Sequence, residues 1–189
     1  MAIEVRQLRE TDDRSSFHSG DDHLDLFFRK YAGQNQFRHY IGTTYVALDA
    51  GAILGFATLT VGHVEIERLP SNLRKKLPDY PLPVLRLARL AVDRNAQRKG
   101  IAEHLMRAVF SIATDLSKTL GCVGVMVDAK PGAQSYYARY GFVELEVLEG
   151  SLSERPTPKP MFLPLSTVVQ ALHAGGLSST RRKQPKRRS

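Results

Sequence analysis

The chain predicts an α/β fold built around two parallel strands, and three observations carry that reading. An apolar run from about Val84 to Val92 passes through a short basic loop into a segment of helical periodicity, which a second apolar run, Cys122 to Val127, follows at once. So short a strand, helix, strand return places the two strands side by side and parallel. Nearby, Thr43 to Leu48 and Ile53 to Thr60 are rich in β-branched and aromatic residues and flank Asp49-Ala50-Gly51, the pattern of an antiparallel hairpin. At 189 residues and 42% hydrophobic content the chain can build one core.

The remaining elements follow in order. Ile3 to Leu8 reads as a first strand, and a polar turn through Thr11 to Gly20 leads to Asp21, a side chain suited to capping a helix over Asp22 to about Phe37. On that helix Leu24, Phe27, Phe28 and Tyr31 share the apolar face, with Lys30, Gln34 and Arg38 on the polar side. Val61 to Ile66 extends or bends the second hairpin strand, and Leu69 to Leu77 makes a short helix ended by Pro78. The central helix runs from Gly100 to Leu120 with Ile101, Leu105, Val109, Ile112, Leu116 and Leu120 as its stripe and Gly121 as its stop. Pro131 opens a further helix through Tyr136 and Tyr137 that Gly141 ends, and Phe142 to Leu148 alternates as a half-buried strand. A proline-rich connector (155–160), a last strand from Met161 to Leu165 and a terminal helix capped by Ser166 complete a domain over 1–174. Residues 175–189 read as a disordered basic tail.

The turn before the central helix carries the chemistry. The first N–H groups of a helix lack intrahelical partners and, with the dipole behind them, receive a phosphate-like anion. Gly100 and Ala102 permit close approach, Arg98 and Lys99 bring positive charge, and Gln97 offers an amide donor. Strand-to-helix turns also carry glycine and basic residues for structural reasons alone, so the spacing by itself leaves both readings open.

A net charge of +8 points to a polyanionic partner. Much of it lies in the tail, where Arg181, Arg182, Lys183, Lys186, Arg187 and Arg188 crowd the last nine residues. Such an arm either follows a phosphate backbone or merely solubilises the end of the chain. The single cysteine, Cys122, sits in an apolar run and fits a reducing cytoplasm. His23, His63 and His104 share no ligand spacing with it, so no metal is expected, and no stretch has the length of a membrane span.

With these pieces placed, the chain resembles the GNAT superfamily of N-acetyltransferases. Gln97-Arg98-Lys99-Gly100-Ile101-Ala102 matches the superfamily's Gln/Arg-x-x-Gly-x-Gly/Ala acetyl-CoA loop, and Tyr136-Tyr137-Ala138-Arg139-Tyr140-Gly141-Phe142 its second signature. Ala88-Arg89-Leu90-Ala91-Val92-Asp93, Phe17-His18-Ser19-Gly20 and Gln34-Asn35-Gln36 are similar to the branch that acetylates aminoacyl-tRNA in type II toxin–antitoxin modules. The resemblance implies a mixed, mostly antiparallel sheet whose two central parallel strands splay between flanking helices. It also implies a cytoplasmic homodimer, a ribbon-helix-helix antitoxin as partner, and aminoacyl-tRNA as acceptor.

Residue by residue, the resemblance places acetyl-CoA on Leu90, Ala91, Val92, Gln97, Arg98, Lys99, Gly100, Ile101 and Ala102, with Tyr137 as general acid to the departing thiolate. Arg89 and Asp128 would meet the acceptor, and Asp128 or water would serve as base. Many superfamily members place a glutamate on the strand that here runs from Leu85 to Val92, where this chain has Arg89 instead. A lysine ε-amine with a pKa near ~10.4 needs a base, whereas an α-amine near ~7.7 to 8.0 is substantially neutral at physiological pH. The missing base therefore favours an aminoacyl ester. A protein N-terminus or small-molecule amine is the alternative acceptor, and a nucleic-acid-binding module with a vestigial acetyl-CoA fold is the reading from another class.

Overall fold

The computed structural model describes residues 2–75, 77–146 and 158–174. Seven strands form one sheet in the order β1-β2-β3-β4-β5-β7-β6. They are β1 (Glu4–Gln7), β2 (Thr43–Asp49), β3 (Ala52–Val64), β4 (Leu82–Val92), β5 (Gly124–Ala129), β6 (Val143–Glu144) and β7 (Lys159–Pro164). Every neighbouring pair is antiparallel except β4 and β5. The parallel pair is the one that the strand, helix, strand order demanded.

The helix between them, α4 (Ile101–Thr119), packs one face of the sheet with Ile101, Leu105, Met106, Val109, Phe110 and Ala113 buried. Leu120 was expected on that stripe but lies beyond the last turn and is 81% exposed. Gly55 admits the helix closely: a Cβ there would come within 3.1 Å of both Ile101 and Leu105.

The opposite face is covered by α1 (Asp22–Leu26) and α2 (Ala32–Phe37), joined without a break by a single wide turn, Phe27–Tyr31. Asp21 caps this helix as predicted, accepting from the N–H groups of His23 and Leu24. The wide turn alters which residues face the core. Phe27 and Phe28 are buried, Phe28 stacking on Phe56 at 4.3 Å, while Tyr31, expected on the apolar face, is 46% exposed.

Smaller differences fall where elements end. The 69–77 helix shrinks to α3 (Ser71–Arg74). Pro131 precedes α5 (Gln134–Ala138), and Ser166 sits inside α6 (Leu165–Ala174) rather than capping it. The alternation expected over Phe142 to Leu148 yields only the two-residue β6, with Val143 exposed and Phe142 and Leu145 buried. Residues 147 and 148 of that run, the first part of the proline-rich connector and the tail after 174 lie outside the described residues.

Candidate active site

Three features converge where β4 and β5 part. The two strands are paired only at Leu85–Val125, Arg86–Met126 and Leu87–Val127, after which β4 stays with β3 and β5 with β7. The edge of β4 facing β5 is therefore without a ladder beyond Leu87. At the same point the β3–β4 register slips: Thr58 pairs Arg89 while Leu59 pairs Leu87, so Ala88 is the extra residue of a bulge. Bulges re-aim the side chains beside them.

The gap is lined by Leu24, Leu87, Ala88, Arg89, Leu90, Val127, Asp128, Lys130, Ala133 and Tyr137 and holds about 120 Å³. Tyr137 comes from α5, buried against Tyr136 and Phe142 with ring centroids 5.2 and 5.5 Å away. Burial, with a smaller contribution from neighbouring Tyr140, pushes its phenol up to about 12. It is thus fully protonated at neutral pH, as a proton donor must be. Tyr136 is also held above its ordinary value, by burial and by its hydrogen bond to Tyr140 at 3.3 Å.

A second cavity of about 370 Å³ adjoins the turn before α4 and is lined by Val92, Gln97, Arg98, Gly100, Ile101, Ala102, Glu103, Tyr136 and Arg139. Gly100 (φ +79°) and Arg98 (φ +61°) both take the left-handed conformation, and no side chain among the described residues caps the first N–H groups of α4. A Cβ on Gly100 would meet nothing nearer than the Glu103 carboxylate at 3.9 Å, so the approach is open. A pyrophosphate fits the turn, and an extended acyl-carrying arm fits the ladderless strand edge.

The predicted loop residues divide by role. Arg98, Gly100, Ile101 and Ala102 line the cavity, together with Val92. Gln97 also lines it, but its amide donates to the Ser19 and Val92 carbonyls at 2.9 and 3.2 Å, bracing the turn instead of offering a free donor. Lys99 folds back onto the Asn95 carbonyl at 2.7 Å and lies outside the lining. Leu90 lines the strand gap, while the Ala91 side chain is buried in the core cluster of Phe28 and Phe56.

Beside the gap a wider groove of about 670 Å³ opens past Phe27, Tyr31, Ile41, Arg86, Arg89 and Lys130. Asp128 is ion-paired with Arg86, and Lys130 with Asp21, which ties the end of β5 to the start of α1. Arg89 has no carboxylate partner among the described residues. Its guanidinium lies over the Phe27 ring, and burial lowers its pKa from the ordinary arginine value without removing its charge.

Sequence reasoning missed Phe27 as the support of Arg89, and it missed Asp25. That carboxylate is fully buried and accepts from the Ser19 N–H (2.8 Å), the Ser19 hydroxyl (2.6 Å) and His18 Nδ1 (2.7 Å), which fixes the turn that Gln97 grips. An aspartate on a helix otherwise reads as a surface residue; the nearby Ser19-Gly20 turn was the only hint.

Splayed parallel strands, an anion-receiving turn and a protonated tyrosine between them define an N-acetyltransferase of the GNAT class, and the profile of the acetyltransferase (GNAT) domain matches residues 41–144. The chain belongs to that family and, within it, to the group of tRNA-acetylating toxins. It is 34% identical to a tRNA-acetylating toxin of Mycobacterium tuberculosis over 140 residues, 72% of this chain and 82% of the relative. Among solved structures, a tyrosine-to-phenylalanine variant of KacT superposes with a TM-score of 0.77 at 26% identity, covering 90% of this chain and 99% of that one. AtaT complexed with acetyl-methionyl-tRNAfMet gives 0.77 at 25% identity over 90% and 99%. AtaTR bound with acetyl-CoA gives 0.73 at 25% identity over 90% and 98%.

Proposed function

We propose that this acetyltransferase moves the acetyl group of acetyl-CoA onto the α-amine of an aminoacyl-tRNA and thereby stops translation. The observation that carries the reading is Arg89. A guanidinium with no carboxylate partner among the described residues, lining the same gap as Tyr137 and a groove that also holds Arg86 and Lys130, suits a polyanionic acceptor. KacT and AtaT support it, since AtaT has been solved with an acetylated aminoacyl-tRNA.

In this scheme Arg98 and the N–H groups of Gly100, Ile101 and Ala102 hold the pyrophosphate, and Leu90, Ala91 and Val92 present backbone to the acyl-carrying arm. The coenzyme supplies an acetyl group activated as a thioester. Tyr137 gives its proton to the sulfur as the C–S bond breaks, and the proton that the amine nitrogen sheds on becoming an amide restores the phenol, so the exchange balances although the thiol, with a pKa near ~8.5, is the stronger acid. The pairing of Asp128 with Arg86 favours its role as an orienting group over that of a base, and the acceptor amine enters already neutral.

A homodimer and a ribbon-helix-helix antitoxin that covers the cleft complete the scheme, with a cytoplasmic setting. The structures of relatives with AtaR support an antitoxin partner of some kind. No helix of the described residues is long and apolar enough to cross a membrane. The basic tail after Gly175 we assign to RNA contact.

Purified protein incubated with labelled acetyl-CoA and a pool of charged tRNA should place label on the aminoacyl group, and Tyr137→Phe should slow that labelling at least about 100-fold. Label on protein N-termini or small amines instead would overturn the tRNA reading.

A further inference from the structure

A fourth cavity, which shares no lining residue with the strand gap, has no part in the scheme above. It holds about 190 Å³ and is lined by Glu10, Arg14, Lys30, Gly33, Gln34, Phe37 and Arg38. Three of these side chains are cationic and one is anionic, yet none of the four makes an ion pair among the described residues. Arg14 Nη1 is buried and has no hydrogen-bond partner among the described residues. A buried donor left unmade is costly, and in a folded protein it calls for an explanation.

The helix is shaped around that guanidinium. A Cβ on Gly33 would stand 2.8 Å from Arg14 Nη1 and 3.2 Å from Nη2, so the arginine lies against bare backbone. Glycine within a helix is unfavourable relative to alanine, and Gly33 lies inside α2. The glycine is kept at the position where it admits the arginine. Lys30 and Arg38 flank it on the exposed side of the same helix.

We propose that this cavity is a subsite for a phosphodiester of the acceptor RNA, with the Arg14 guanidinium as the donor within it and Lys30 and Arg38 as the cations at its exposed rim. The proposal rests on the tRNA reading above and adds to it a contact that does not touch the reaction centre. The placement supports RNA over an acidic peptide: the helix that carries Phe27, and with it Arg89, reaches Gly33 six residues later, roughly 9 Å along its axis. One continuous helix thus joins the acetylation groove to a net-cationic site, and a nucleic acid backbone repeats its charge along such a path.

Binding of uncharged tRNA tests the subsite without reference to catalysis. Lys30→Gln, Arg38→Gln and Arg14→Gln should each weaken tRNA binding about 3- to 30-fold at 150 mM salt. Each should also reduce the slope of log K against log salt by about 0.7 to 0.9, one phosphate contact. Lys118→Gln, which removes an exposed charge elsewhere on α4, should leave the slope unchanged. Gly33→Ala should raise Tm while weakening tRNA, a pairing that a purely structural role for Arg14 would not produce.

An unchanged slope in Lys30→Gln and Arg38→Gln, whose side chains are exposed and whose loss does not threaten folding, would overturn the subsite. So would loss of an acidic protein partner with tRNA binding intact. If wild-type protein binds tRNA with the expected slope but transfers no acetyl group to charged tRNA, the acetylation reading falls while the subsite stands.

Discussion

The Arg89 guanidinium lies 3.7 Å above the centroid of the Phe27 ring. Arg89 belongs to β4 beside the bulge and Phe27 opens the wide turn that follows α1, so the contact joins β4 to the helix that walls the wide groove. A cation desolvated on an aromatic face gains about 1–2 kcal/mol from the ring. Phe27→Leu preserves an apolar side chain but removes that support, and kcat/KM for charged tRNA should fall about 5- to 30-fold. Steady-state kinetics would check this, with acetyl-CoA affinity as the unchanged control.

Tyr137 is raised by burial to about 12, which has a consequence for both rate and stability. The rate should climb with pH as the acceptor amine loses its proton near or below ~8, with no loss from tyrosine ionisation until well above pH 10. Tyr137→Phe should lower kcat about 10²- to 10⁴-fold across that range. Because the folded pKa exceeds the unfolded value of about 10, the tyrosine's stabilising effect is complete below pH 10 and is lost as pH rises toward 12. Alkaline unfolding followed by circular dichroism should therefore be shallower in Tyr137→Phe.

Gly100 takes φ +79° in a turn where a Cβ would be sterically free, so replacing it isolates the backbone cost. Gly100→Ala should destabilise by about 1–2 kcal/mol, a Tm loss of about 2–8 °C at this chain length. It should also weaken acetyl-CoA binding, since relaxing the turn re-aims the N–H groups of α4. Calorimetric titration measures the affinity. Unchanged affinity together with lowered Tm would remove the turn from the coenzyme site.

The parts of this site that were legible in the sequence are those set by local backbone rules. Asp21 caps its helix, Ala50 and Gly51 turn the hairpin with positive φ, and Gly100 stands where a strand feeds a helix. Each needs only neighbours within a few residues. The parallel β4–β5 pair was legible because the crossover leaves no other arrangement. Tertiary choices were hidden. The wide turn at Phe27–Tyr31 shifts the helical phase and exposes Tyr31, which no periodicity count anticipates. Gln97 spends its amide on Ser19, 78 residues away, so its role as a brace depends on a contact absent from local sequence. Arg14 reads as one more surface cation until Gly33 is placed beneath it.

Asp25 supplies the last test, because a fully buried carboxylate must be held by its donors or lost. Burial opposes its charge, but the Ser19 hydroxyl and N–H, His18 and the Gly20 N–H outweigh that and keep its pKa below the usual aspartate value. A depressed folded pKa means stability that is present above the unfolded pKa of about 4 and lost as pH falls through the folded value. Asp25→Asn keeps the size of the side chain but leaves at least one donor of the Ser19 turn facing an amide that cannot accept it. The cost should be about 2–4 kcal/mol, or roughly 5–15 °C in Tm at pH 7. Part of that difference should vanish as pH falls below about 4, where the wild-type carboxylate becomes protonated. Since Gln97 grips the Ser19 carbonyl at 2.9 Å, the loosened turn should also weaken acetyl-CoA binding. A variant that loses stability but binds acetyl-CoA as tightly as wild type would confine Asp25 to the fold and uncouple the Ser19 turn from the coenzyme loop.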